Sequence, residues 1–162
     1  MPHVYLSIGS NDNAADNLRR GVRMLAEQVD LLAASRVYET APVGGGSANY
    51  LNAALLIDTP LARDVLKAQL RQIEAACGRV RTDAEGRKSK VVALDLDIIV
   101  YGDDAPDDDL ARYAYVAVPM ADIAPDLIPA GESKPLHTVA QRFANSDLVV
   151  RDDIQLLPPA EG

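Results

Sequence analysis

The order of hydrophobic patterns predicts an α+β fold: a largely antiparallel sheet with helices packed on it, in a three-layer sandwich. Two observations carry this. Stretches with the period-two alternation of strands recur at residues 3–8, 31–38, 50–57 and 91–101. Segments with helical spacing lie at 17–28 and 61–77. The resulting order is roughly β-α-β-β-α-β with additions, the split β-α-β or ferredoxin-like arrangement. A chain of 162 residues is long enough to bury its own core. No repeat or boundary divides it, so 1–162 reads as one domain, with 158–162 as a loose tail.

Each element has a local cause. Residues 3–8 alternate, and Gly9-Ser10-Asn11-Asp12 is a turn that also offers helix N-caps. Leu18, Val22, Leu25 and Ala26 recur at helical spacing in the first helix. A second strand follows at 31–38. Residues 40–47 form a flexible loop, because three consecutive glycines, Gly44, Gly45 and Gly46, have no local preference. The third strand, 50–57, ends at Thr59-Pro60. Residues 61–77 are the strongest helix, with Val65, Leu66, Leu70, Ile73 and Ala76 as its apolar stripe and Gly78 as its stop. A polar loop at 82–90 leads to the fourth strand, 91–101. A short strand is expected at 113–118, then a turn of helix at 120–123, a helix at 136–143 and an edge strand within 148–157.

Composition limits the function classes. Hydrophobic content of 48% with 25% charged residues is that of an ordinary globular protein. With no Trp and one Phe, Phe143, the core must be aliphatic. A net charge of −8 argues against a nucleic-acid or anionic-membrane binder, although a local basic loop can still hold a nucleotide. Cys77 is the only cysteine and sits in a helical pattern as a small hydrophobe. No signal-peptide pattern and no long apolar run is present, so a cytoplasmic location is expected. His3 and His137 carry no motif.

The segment Leu94-Asp95-Leu96-Asp97-Ile98-Ile99-Val100-Tyr101 is the most informative. On a strand, Asp95 and Asp97 point to one face, and two like charges side by side repel unless a cation lies between them. A divalent metal carrying a polyphosphate is a common solution. The upstream bases Arg79, Arg81, Arg87, Lys88 and Lys90 could hold the phosphates. An Asp-x-Asp pair alone is short enough to be a solvated strand face or a cap, so its company matters.

Six ordered segments supply that company: Leu6-Ser7-Ile8-Gly9-Ser10-Asn11, Ser35-Arg36-Val37-Tyr38-Glu39-Thr40-Ala41-Pro42, Tyr50-Leu51-Asn52-Ala53-Ala54, Ile73-Glu74 with Gly78-Arg79-Val80-Arg81, the Asp pair strand, and Ile123-Ala124-Pro125-Asp126-Leu127. Together they resemble the 6-hydroxymethyl-7,8-dihydropterin pyrophosphokinase family of folate biosynthesis. The resemblance implies a transferase that moves pyrophosphate from ATP to the hydroxymethyl oxygen of a reduced pterin and releases AMP. It implies that Asp95 and Asp97 hold two Mg²⁺ ions. Asn52 would read the pterin's amide edge and Tyr50 would line the pocket. Thr40, Ala41, Pro42 and Val43 would offer backbone groups, and Tyr115 would stack on the ring from a late strand. Glu74, Arg79, Arg81, Lys88, Lys90 and Ile98 fall to the nucleotide, with Arg79 also close to the chemistry. Ser10 and Asn11 serve equally well as a turn or as a substrate contact. The implied partners are pterin and ATP, with no nucleic acid or membrane, in a monomer or weak dimer.

The chain departs from the family in two places. The family's Arg-Thr before the Asp pair is replaced by Val92-Ala93. The segment after Tyr101 has no His; it holds Asp103, Asp104, Asp107, Asp108 and Asp109, and Arg112 is displaced by one position. Arg87, Lys88 or Lys90 would have to replace the missing charge. Two readings stay open at this point: a divergent pyrophosphokinase, and a pterin-binding or regulatory homologue with impaired transfer. A small interaction domain on the same scaffold is a third, since one fold hosts many functions.

Overall fold

The computed structural model describes residues 1–42, 48–82 and 84–157. Its elements are β1 (His3–Ser10), α1 (Ala14–Ala26), β2 (Asp30–Ala34), β3 (Tyr38–Thr40), β4 (Tyr50–Asp58), α2 (Arg63–Ala76), β5 (Asp95–Tyr101), α3 (Asp109–Arg112), α4 (Ala114–Ile123), α5 (Leu136–Val139) with a 3-10 turn at Ala140–Phe143, and β6 (Val149–Val150). The sheet runs β5-β1-β4-β3-β6, with β2 also on β4, and every pairing is antiparallel. Among the described residues, no helix is long and apolar enough to cross a membrane.

Alternation along the central strands divides the molecule into layers. Val4, Leu6 and Ile8 of β1 and Leu51, Ala53, Leu55 and Ile57 of β4 face α1 and α2, whose Leu18, Leu25, Leu66, Leu70 and Ile73 complete the first core. The opposite face carries α3, α4 and α5, packed through Leu110, Val116, Met120 and Leu136. Neither group of helices covers the sheet end where β1 and β5 carry Ser7, Gly9, Asp95 and Asp97, and a cavity opens there.

A bulge in β5 sets the change between core and site. Tyr5 pairs with Val100 and Leu6 with Ile98, which leaves Ile99 as the extra residue. Ile98 therefore packs toward α2, while Ile99 and Val100 both pack toward α4. Residues before the bulge keep simple alternation, so Asp95 and Asp97 share the cavity face as the sequence predicts.

Four expected strands differ. The 31–38 strand is two strands, because Ser35 leaves the ladder to make a local bridge to Ala54: its N–H donates to the Ala54 carbonyl at 2.9 Å, and the Ala54 N–H donates to its Oγ at 2.8 Å. The strand expected at 113–118 is the start of α4. Its β-branched residues suggested a strand, yet Val116, Ala117, Pro119 and Met120 are all buried, and a helix in a dense core can be apolar over much of its surface. Of the edge strand expected within 148–157, only Val149–Val150 pairs, with β3. The β5 strand also starts at Asp95 rather than at Val91.

Gly21 explains how α1 approaches β5. A Cβ there would lie 2.6 Å from Leu94 Cδ2, and Leu94 is fully buried next to Asp95. Ala is the better helix former by about 1 kcal/mol, but overpacking costs about 1–3 kcal/mol. Gly21→Ala is therefore expected to lower stability by about 1 kcal/mol in urea unfolding; a gain would show that α1 does not press on Leu94.

Candidate active site at the open end of the sheet

The site begins with strand register. Gly9 pairs with Asn52 on one side and with Asp95 on the other, while Ser7 pairs with Ala54 and Asp97. Asn52, Gly9 and Asp95 thus form one row across three strands, about 10 Å from end to end at ~4.8 Å per strand step. Gly9 has no side chain because Asn52 occupies its space: a Cβ there would meet Asn52 Oδ1 at 2.7 Å. Asn52 is buried, and Tyr50 stands two residues away on the same face.

These residues line a cavity of about 790 Å³. Thr40, Ala41 and Pro42 also line it, as do Tyr115, Arg79, Lys88, Lys90, Asp95 and Asp97. Val43 lies outside the described residues. A smaller cavity of about 240 Å³, lined by Ile98, meets the larger one at Asp97, Ile99 and Asp109. Most residues singled out in the sequence thus converge on one place.

The carboxylate pair is not sealed in the core. Asp95 is half-buried, and Asp97 is exposed where it lines the cavity. Loss of hydration pushes the Asp97 carboxyl up to about 7, and the nearby Asp95 charge adds to the rise. Two carboxylates with this conflict suit a hard divalent cation. Among the described residues no group of three His, Cys, Asp or Glu side chains converges, so the two carboxylates would leave most of a cation's coordination to other oxygen donors such as water and phosphate. That fits Mg²⁺, which keeps several waters and takes one or two carboxylates beside substrate phosphates.

Arg79 is placed by the end of α2. Gly78 adopts φ 96°, its N–H donates to the Ala75 carbonyl at 3.0 Å, and the Arg79 N–H donates to the Glu74 carbonyl at 3.0 Å, a Schellman stop. The side chain then turns inward, 8% exposed, with Nη1 3.5 Å from Asp95 and donating to the Leu94 carbonyl at 3.0 Å. Its buried Nε has no partner among the described residues.

Glu74 and Arg81 line neither cavity. Glu74 is 1% exposed; it accepts from the Leu96 N–H at 2.8 Å and from Arg81 Nη2 at 2.5 Å. Burial raises its pKa. The pair locks α2 to β5 and to the start of the basic loop.

Tyr115 reaches the cavity from the first turn of α4 rather than from a strand, stacked on Tyr113 at 5.1 Å with 22° between the rings. Burial pushes its phenol up to about 12. Pro119 removes the N–H that would bond the Tyr115 carbonyl in a regular helix.

The sequence left Asn11 between a turn and a substrate contact and gave no role to Asp147. Asn11 is a clamp: its Oδ1 accepts from the Val92 N–H at 2.6 Å and its Nδ2 donates to the Lys90 carbonyl at 2.8 Å, fixing the end of the basic loop to β1. Asp147, far along the chain, accepts from the Ala41 N–H at 3.1 Å and the Thr40 hydroxyl at 3.3 Å. Gly9 left a readable trace, because glycine inside a strand often marks close approach. Asp147 left none.

Comparisons with known proteins agree with this geometry. The family model for 7,8-dihydro-6-hydroxymethylpterin-pyrophosphokinase matches residues 5–125. The chain belongs to this family. A pyrophosphokinase relative, 2-amino-4-hydroxy-6-hydroxymethyldihydropteridine pyrophosphokinase of Methylorubrum extorquens, is 38% identical over 160 residues, 91% of this chain and 95% of that one. The enzyme of the same name from Haemophilus influenzae is 29% identical over 92% of this chain and 98% of its own length. Among solved structures, an HPPK-DHPS chain in complex with substrates superposes with a TM-score of 0.69 at 9% identity, over 90% of this chain and 46% of that longer one. A Plasmodium falciparum HPPK-DHPS chain gives 0.68 at 10% identity, over 89% and 42%. At that identity the likeness is one of fold, and it covers less than half of each longer chain.

Within this pyrophosphokinase fold, Glu74 has a structural task. Glu74→Ala would leave the buried Leu96 N–H without a partner, and the expected loss is about 2 kcal/mol in chemical unfolding. An unchanged unfolding midpoint would contradict the role given to Glu74.

Proposed function

We propose that the chain transfers pyrophosphate from ATP to the hydroxymethyl oxygen of 6-hydroxymethyl-7,8-dihydropterin or a related reduced pterin, giving AMP. The observation that carries the proposal is the row Asn52–Gly9–Asp95, which puts an amide able to read a flat heterocycle and a metal-ligating acid in one cavity. The pterin would lie over Gly9, its amide edge against Asn52, between Tyr50, Tyr115 and the Thr40–Pro42 backbone. No observation favours the impaired alternative.

In the reaction, the hydroxymethyl oxygen attacks the β-phosphorus of ATP. The bond from that phosphorus to the α–β bridging oxygen breaks, AMP leaves, and the hydroxyl proton passes to solvent. Such transfer asks the protein mainly for alignment and charge neutralisation. Asp95 and Asp97 would hold two Mg²⁺ ions. Bound there, Mg²⁺ supplies neutralisation of the phosphate oxygens and makes a coordinated hydroxyl more acidic. Arg79, beside Asp95, steadies that carboxylate and adds positive charge at the cavity wall. Asn52 and Tyr115 fix the pterin so that its hydroxymethyl arm points along the row toward Asp95. The Asn11 clamp keeps Lys88 and Lys90 at the rim.

The proposal extends to a cytoplasmic protein that needs neither nucleic acid nor membrane, in keeping with its net charge of −8. It acts as a monomer or weak dimer; the sheet has two ends, the two-residue β6 and the seven-residue β5.

Two measurements test the reading. Asp95→Ala and Asp97→Ala should each lower AMP release by on the order of 10³-fold with the fold intact by circular dichroism, and chelation of Mg²⁺ should do the same to the unaltered enzyme. Turnover that survives both substitutions would remove the metal pair from the mechanism. Gly9→Ala should displace Asn52 and weaken pterin binding by roughly tenfold or more while nucleotide binding stays unchanged, which calorimetry can read separately. Equal loss for both ligands would mean that Asn52 does not select the pterin.

A further inference from the structure

Asn52 faces the cavity with no bond of its own to aim it. Its side chain is buried, and among the described residues its amide has no hydrogen-bond partner. Its direction is therefore set by its neighbours in the strand row. On the β1 side stands Gly9, which only makes room. On the β3 side stands Tyr38, directly opposite Asn52 in the register and 3% exposed. Residues paired in this way share a face of the sheet, with Cβ atoms about 5 Å apart. The Tyr38 ring is thus the solid neighbour of the Asn52 amide.

The ring is itself tied down from the helix layer. The Tyr38 hydroxyl donates to Asp122 Oδ2 at 2.8 Å. Asp122 stands in the last turn of α4 and also accepts three bonds from Arg36. Nη2 reaches Oδ1 at 3.2 Å, while Nε and the backbone N–H each reach Oδ2 at 3.3 Å. The Arg36 guanidinium carbon lies 5.5 Å from the centre of the Tyr38 ring. Burial, with the Asp122 bond second, pushes the Tyr38 phenol up to about 12, so the hydroxyl stays a donor at neutral pH. Val116, Ala117 and Met120 root α4 in the second core, so the carboxylate that holds the ring has a firm base.

Resting on the pterin reading above, we propose that Tyr38 and Asp122 are positioning residues for the heterocycle: they hold the Asn52 amide in the direction that reads its edge. Support passes from the second core to α4, to Asp122, to the Tyr38 ring and so to Asn52. Neither Tyr38 nor Asp122 lines the cavity, so neither touches the ligand. Without the bond the ring is free to tilt, and the amide beside it gains rotamers. An amide turned by half a revolution offers its NH₂ where the ligand needs an oxygen. Recognition by a single amide is therefore sensitive to slack behind it. Asp95 and Asp97 lie two strands from Asn52, on β5, outside this line of support.

The test joins calorimetry to a double-mutant cycle on the full chain. Tyr38→Phe removes one hydroxyl and keeps the ring. Asp122→Ala removes the acceptor, and Asp122→Asn keeps one. Tyr38→Phe and Asp122→Ala should each weaken binding of 6-hydroxymethyl-7,8-dihydropterin and raise its KM by roughly fivefold, with Asp122→Asn closer to the unaltered chain. Affinity for α,β-methylene-ATP with Mg²⁺ should not move. In an Asn52→Ala background, where the amide is gone, Tyr38→Phe should have no further effect on pterin affinity. Additive losses in that cycle would overturn the proposal. So would equal losses for pterin and nucleotide, or unchanged pterin affinity in Tyr38→Phe. The unaltered chain separates the readings. If it binds no pterin, the pterin reading falls and this proposal with it. If it binds pterin but forms no AMP, the transferase reading falls and this proposal stands.

Discussion

Two carboxylates held on one face of one strand, at the open end of a sheet, are the constraint on which the rest of this structure depends. Desolvation raises the Asp97 carboxyl to about 7 and the neighbouring Asp95 charge adds to the rise, a conflict that a cation between the two would relieve. Everything nearby answers that charge or uses it. Arg79 approaches Asp95 from the Schellman turn of α2. The basic loop is pinned to β1 through Asn11. The β5 bulge ends the polar face at once, returning Ile99 and Val100 to the second core two residues beyond Asp97.

The fold's contribution is register. Antiparallel pairing of β4, β1 and β5 sets Asn52, Gly9 and Asp95 side by side, so recognition of a heterocycle and handling of phosphate become neighbouring tasks on one rigid surface. A slip of one residue would send Asn52 and the acids into the apolar face packed by α1 and α2. Leu94, fully buried under Gly21, opposes such a slip. The C-terminal segment adds to this through β6 and Asp147, which hold β3 and the Thr40–Ala41 backbone although they lie beyond the part of the chain that matches the family.

Much of this was legible in the sequence because its signals were periodic. The α1 and α2 stripes, the alternation in β1 and β4 and the shared face of Asp95 and Asp97 all follow from repeat lengths. Local patterns failed where burial or a distant partner decided the outcome. Residues 113–118 look like a strand by composition, but a densely buried environment makes them the start of a helix. Ser35 splits one strand into two through a bond to Ala54, nineteen residues away. At the site, residue types with strong chemistry, such as Asn52 and the Asp pair, stood out. Glu74 and Arg81 carried a motif but serve to join α2 to β5.

The most direct test of the whole account is product analysis by ³¹P NMR after incubating the chain with Mg²⁺, ATP and 6-hydroxymethyl-7,8-dihydropterin. The account predicts AMP and a pterin diphosphate in equal amounts, both former β- and γ-phosphates residing on the pterin. ADP with a pterin monophosphate, or ATP left intact beside bound pterin, would contradict it.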